Sequence, residues 1–173
     1  PIAENDIQEW IHELENLRKK ISSKNLNEQN PALSLAYWIT EIPVIYFPWG
    51  LQSCAIRFKN SLQENAKMHA ISEDVIEASH NGIVPWERMT NLKPILLEGK
   101  EDYIKTKERW IILKEFFEKN KIEYKEVFSV KGSILSKIIN LIYLLDYTSI
   151  YKAVISNIDP TPVAAINFVK NKL

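Results

Sequence analysis

The stretch Val44-Ile45-Tyr46-Phe47-Pro48-Trp49-Gly50-Leu51 decides the fold class. Four apolar residues rich in strand formers are stopped by Pro-Trp-Gly, and a helical pattern begins at once. In residues 51–65, Leu51, Cys54, Ala55, Phe58 and Leu62 recur at helical spacing and predict one buried face. This is a β-turn-α unit. The alternation continues with a second strand at 68–71, a short helix at 73–79, a third strand at 94–97 and a long helix at 103–119. A fourth strand follows at 122–130, with a helical region over 133–158. Asp159-Pro160-Thr161-Pro162 then stops the chain before a last helix at 163–173. Strands alternating with helices predict an α/β protein with a mostly parallel sheet covered on both faces.

Upstream of this unit, Ile7, Trp10, Leu14, Leu17 and Ile21 form the stripe of an amphipathic helix. Such a helix either docks on a domain or makes an oligomer contact, and the spacing leaves both open. The polar run at 22–30 breaks the pattern. Asn30-Pro31 has the chemistry of a helix start, an Asn cap followed by Pro in the first turn, and predicts a second helix at 32–39. Two segments result: a linker helix in residues 1–29 and a domain in residues 30–173.

Composition narrows the function classes. One domain is the natural count for 173 residues, and 46% apolar content supports a core of ordinary size. Twenty-two basic residues balance twenty-two acidic ones, so no net field favours nucleic acid or anionic lipid. Cys54 is the only cysteine, which excludes an intrachain disulfide and a cysteine-rich zinc site and suits a reducing, cytoplasmic setting. The apolar region 134–158 is interrupted by Lys137, Asn140, Asp146 and Lys152, and reads as a buried helix rather than a membrane span. Pro1 points either to methionine removal or to a chain cut from a longer one.

For chemistry, the sequence offers a glutamate and a histidine sixteen positions apart, Glu64 and His80. A carboxylate and an imidazole are suited to moving protons on a sugar. Arg57, Asn60, Ser61 and Glu64 share one stripe of the 51–65 helix, with Glu64 at its C-terminal end, where the helix dipole opposes a negative charge. Each residue alone also fits a plain structural role: a solvated helix-end glutamate, or a hydrogen-bonded histidine beside Asn81. His12 and His69 stand without metal-ligand spacing. With glycine only at 50, 82, 99 and 132, the chain has neither a dinucleotide fingerprint nor a P-loop. The turns at 49–53 and 131–133 are weak anion-site candidates.

The order of several segments carries a resemblance. Asn30-Pro31-Ala32, Pro43-Val44-Ile45-Tyr46, Ala55-Ile56-Arg57-Phe58-Lys59, Glu64-Asn65-Ala66-Lys67, Glu77 with His80-Asn81, Asp146-Tyr147-Thr148-Ser149-Ile150-Tyr151 and Asp159-Pro160-Thr161-Pro162-Val163 stand in sequence over residues 30–173. Together they resemble the C-terminal half of the bifunctional phosphoglucose/phosphomannose isomerases. The resemblance implies a sugar isomerase (SIS) domain, a flavodoxin-like three-layer fold with about five parallel strands, paired with a preceding SIS domain and assembled as a homodimer. It implies a sugar-phosphate substrate and no cofactor. Glu64 is then the base that shuttles a proton between C2 and C1 through a cis-enediolate, and His80 opens the sugar ring from across the dimer interface. Lys170, or Lys172 beside it, is the C-terminal lysine that reaches the site. Arg57 and Thr161 are the substrate-binding candidates. One departure is visible: the family pattern follows His-Asn with glutamate, and this chain has Gly82. The phosphate-holding loops and a catalytic arginine belong to the first domain of that family.

Three functions follow. The chain is the acid-base half of an isomerase, a SIS module that binds sugar phosphate and regulates a partner, or a structural dimerisation domain.

Overall fold

A computed structural model of the chain describes residues 4–88 and 90–173; residues 1–3, with Pro1, and residue 89 lie outside the described residues. Four parallel strands, β1 (Ile42–Phe47), β2 (Ile71–Asp74), β3 (Leu92–Glu98) and β4 (Lys125–Phe128), form one sheet in the order β2-β1-β3-β4. The helices are α1 (Glu4–Ile21), α2 (Pro31–Trp38), α3 (Gln52–Asn65), α4 (Val75–Glu77), α5 (Ile104–Lys119), α6 (Ile134–Ile155) and α7 (Ala164–Lys170). A π-helical turn, Ala78–Gly82, and a 3-10 turn, Val84–Glu87, join α4 to β3.

β1 is buried along nearly its whole length because it is an inner strand covered on both sides. Its alternation divides the core in two. Ile45 and Phe47 pack with Phe58 and Leu62 of α3 and with Leu141 and Leu145 of α6. Val44 and Tyr46 face Trp86, Trp110 and Phe117 on the other side. Burying side chains such as Phe58 and Leu62 contributes roughly 1.5–3 kcal/mol each. On the second face Trp86 Nε1 donates to the Tyr46 hydroxyl at 2.7 Å, and Trp86 meets Phe117 edge-on with centroids 5.5 Å apart. Burial pushes the Tyr46 hydroxyl up to about 12.

The expected helix start at Asn30 is present. Its side chain accepts from the amides of Ala32 and Leu33, both at 3.0 Å, while its Nδ2 donates to the Ile21 and Asn25 carbonyls. Asn30 thereby ties α1 to α2. Ile21 is fully buried, its carbonyl also accepts from the Tyr151 hydroxyl of α6 at 2.6 Å, and Trp10 Nε1 donates to Ser133 at 3.2 Å. α6 is long and apolar enough to cross a membrane by length and composition, yet here it buries Leu141, Leu144, Leu145, Thr148, Ser149 and Ala153 against its neighbours.

Two expectations need correction. The sheet has four strands among the described residues rather than about five. β2 also lies three residues later than the apolar run at 68–71, pairing Val44 with Ile71 and Phe47 with Asp74. β2 is an edge strand, so Ser72, Glu73 and Asp74 can pair on one side without full burial, and hydrophobicity alone does not mark it. The helix expected at 73–79 consequently starts at Val75, where Asp74 caps it by accepting from the Ile76 amide at 2.7 Å.

Candidate functional site

α3 and α6 lie side by side on one face of the sheet, and their outer sides enclose an open groove of about 1140 Å³. The predicted stripe of α3 lines it: Arg57, Asn60, Ser61 and Glu64 all face the groove. From α6 come Tyr143, Asp146, Tyr147 and Ile150, spaced at three and four residues for the same reason.

The groove's centre is a polar seam. Arg57 donates through Nε at 3.0 and 3.2 Å and through Nη2 at 2.7 Å to the two carboxylate oxygens of Asp146, and Ser61 donates to the same carboxylate at 3.0 Å. Asp146 in turn holds the Arg57 guanidinium above its ordinary value, first by hydrogen bonding and then by charge. One turn further, Asn65 Nδ2 donates to Ser149 at 2.8 Å, and Ser149 donates to the Asp146 carbonyl at 2.7 Å. Tyr143 and Tyr147 meet edge-on at 5.2 Å, and burial raises the Tyr143 hydroxyl.

Glu64 stands at the end of this seam. It is exposed, and among the described residues its carboxylate has neither an ion pair nor a hydrogen bond. It also borders a second hollow of about 350 Å³, formed with Gln63, Lys67 and residues 162–166. That hollow brings Glu64 beside the segment of the two C-terminal candidates. Thr161 sits in the turn before α7, its amide donating to Asp159 at 2.9 Å. This bond, with the Thr161 hydroxyl and the Lys67 charge, holds the Asp159 carboxyl below its usual value. Lys170 is the last residue of α7, exposed and one turn beyond Ile166. No α7 residue is buried.

His80 is elsewhere. A helix that returns between parallel strands runs against them, so the end of α3 lies at the sheet edge where β2 begins, whereas His80 follows the end of β2. Four strand residues separate those ends by about 13 Å. His80 is exposed in the π-helical turn and lines neither hollow with Glu64. Beside it, the carboxylate of Glu73 occupies the space that a side chain at Gly82 would enter. Burial, then the charge of Glu77, raises the Glu73 carboxyl.

Asp146, Tyr147 and Ser149, which stand in one of the segments that carry the family resemblance but are assigned no role by it, belong to the site together with Tyr143. Their signal was present in the three-four spacing along 143–150, which marks one face of a helix without telling which neighbour it meets. Cys54 is buried and its thiol is pushed up to about 11, so it is unsuited to nucleophilic work. No group of three or more His, Cys, Asp or Glu side chains among the described residues could hold a metal ion.

Residues 28–173 match the family described as the bacterial phospho-glucose isomerase C-terminal SIS domain. A bifunctional phosphoglucose/phosphomannose isomerase from Caldicellulosiruptor bescii is 32% identical over 178 residues, covering 99% of this chain and 52% of that protein. One from Thermoplasma acidophilum is 32% identical over 168 residues, covering 95% and 52%. The chain thus spans about half the length of these relatives. Among solved structures, a glucose-6-phosphate isomerase like protein from Thermus thermophilus superposes with a TM-score of 0.74 at 18% identity, covering 97% of this chain and 56% of that one. The sugar isomerase domain of an RpiR transcription factor from Sphaerobacter thermophilus gives 0.64 at 10% identity, covering 97% and 98%. At such identities these two similarities show the fold, a SIS-type three-layer sandwich.

Proposed function

Because the chain belongs to the bacterial phospho-glucose isomerase C-terminal SIS domain family, we propose that it is the acid-base half of an aldose-ketose isomerase acting on glucose 6-phosphate, mannose 6-phosphate or both. The observation that carries this reading is the placement of Glu64. An exposed carboxylate with no partner among the described residues ends a hydrogen-bonded seam and borders two hollows, one shared with the segment that leads to Lys170. A base for carbon acids needs such a position: an ionisable carboxylate open to substrate, on a helix whose other side chains are tied to its neighbour.

In this mechanism Glu64 removes the proton from C2 of the open-chain sugar and the electrons move into the C1 carbonyl to form the cis-enediolate; the O2 hydroxyl proton then passes to O1 as the same carboxyl returns its proton to C1, leaving the ketone at C2. Lys170 supplies positive charge near the developing oxyanion, where preorganised charge has its largest effect. His80 acts on the ring oxygen during opening. Its position at the opposite end of β2 from Glu64 supports a homodimer in which the histidine of one chain serves the glutamate of its partner. Arg57 and Thr161 face substrate from the groove and the C-terminal turn, and the phosphate grip comes from a preceding SIS domain.

The test is isotope exchange at C2 of glucose 6-phosphate or mannose 6-phosphate in the two-domain protein. Glu64→Gln should reduce exchange by roughly 10²–10⁴-fold while substrate binding stays nearly intact. Exchange at the wild-type rate would remove Glu64 from the role.

A further inference from the structure

The turn that ends α3 has its first residue past the cap, Lys67, in the left-handed region with φ 53°. Glycine is the usual choice there because it has no Cβ to crowd the backbone. α5 and α6 stop in the same way at Lys121, φ 58°, and Asn157, φ 55°. Backbone conformation therefore does not single out Lys67. Its side chain does.

Lys67 Nζ donates to the Glu64 carbonyl at 2.6 Å and to the Pro160 carbonyl at 3.2 Å. Among the described residues neither Lys121 nor Asn157 makes a side-chain hydrogen bond. The Glu64 carbonyl is one of those that a helix leaves open at its C-terminus. The Pro160 carbonyl lies in the segment between α6 and α7, ninety-three residues away along the chain. One ammonium thus joins the residue that carries the free carboxylate to the stretch of chain that leads to Thr161 and Lys170. Because α7 buries no residue, its placement depends on few ties, and this is one of them.

We propose that Lys67 is a positioning residue, an ammonium clasp that fixes the end of α3 against the Pro160 turn, so that Glu64 and α7 keep one relative placement. Its catalytic consequence rests on the isomerase reading above; the clasp itself does not. A lysine at a position that favours glycine is then explained by what its side chain reaches.

Hydrogen exchange of the α7 amides in this chain tests the clasp. Lys67→Gly removes the ammonium while easing the backbone, so loss of protection cannot be ascribed to strain, and Lys67→Arg keeps a cation. The two lost hydrogen bonds should speed exchange of the residue 167–170 amides, those that α7 bonds internally, about tenfold in Lys67→Gly, with β1 and β3 unchanged and with recovery in Lys67→Arg. Unchanged α7 exchange in Lys67→Gly, or failure of Lys67→Arg to recover it, overturns the clasp. In the two-domain protein the same Lys67→Gly change should lower kcat about tenfold with KM little altered. A wild-type protein with no turnover but with the expected exchange pattern would instead overturn the isomerase reading and leave the clasp standing.

Discussion

Arg57 faces the groove, but Nε and one terminal nitrogen are committed to Asp146, which Ser61 also approaches. Both N–H groups of Nη1 and the second N–H of Nη2 are left to meet a substrate without breaking the pair. The guanidinium therefore orients the seam between α3 and α6 as well as offering a donor. Both side chains are partly solvated, at 56% and 29% exposure, so screening limits the strength of the pair. A double-mutant cycle with Arg57→Met and Asp146→Asn should give a coupling of about 0.5–1 kcal/mol in low salt, shrinking in molar salt. Strict additivity in urea unfolding would show that the pair contributes nothing to holding the helices together. The identity of Arg57 as a groove residue was legible in its helical stripe. Its partner was not, because Asp146 lies eighty-nine positions away and no local spacing connects them.

At the scale of elements, strong hydrophobic patterns located β1, β3 and the long helices, and their order was enough for the fold class. What escaped the sequence was decided by neighbours. β2 keeps Ser72, Glu73 and Asp74 because an edge position tolerates them, and the π-helical turn with His80 follows from a shifted strand end rather than from a visible motif. The junction of β3, β4 and α5 shows a further interaction that no single segment encodes. Lys114 of α5 contacts Glu98 of β3 at 3.2 Å and Glu126 of β4 at 2.7 Å, with the Glu98 side chain 8% exposed. Burial raises the Glu98 carboxyl to about 7; Lys114 opposes the shift, and the Glu126 contact adds to it. Lys114 is raised as well by its two carboxylate partners against burial, and stays charged across this range. A raised carboxyl favours the neutral form in the folded state. Its stabilising contribution is complete below the ordinary value of 4.5 and is lost as pH rises through about 7. Urea unfolding should therefore show a loss on the order of 1–3 kcal/mol between about pH 5 and 8 that Glu98→Gln flattens. Equal slopes for wild type and Glu98→Gln would exclude Glu98 as the cause.

For the whole molecule, the topology separates the two residues proposed to share the chemistry. Glu64 lies where β2 begins and His80 beyond where it ends, and the chain covers 52% of the length of the relatives from Caldicellulosiruptor bescii and Thermoplasma acidophilum. The apolar side chains around the site are also left open: Ile56 and Ile150 in the groove, and Ile166, Phe168 and Val169 on α7 are 39–66% exposed. Such a surface fits contact with another folded unit. A carboxylate base gives roughly 10²–10⁴-fold acceleration, but only if the sugar's C2 is held against it, and orientation of the substrate supplies a comparable or larger share. Among the described residues that line the groove, the one arginine is paired with Asp146, which leaves it poorly placed as a dedicated phosphate grip. The chain by itself should consequently show little or no conversion of fructose 6-phosphate, at least about 10⁴-fold below a two-domain relative in kcat/KM. Adding a preceding SIS domain in the same polypeptide should restore turnover together with C2 exchange. Robust isomerisation by this chain alone would overturn the assignment of phosphate binding to another domain, and would require a complete site within the α3, α6 and α7 surface.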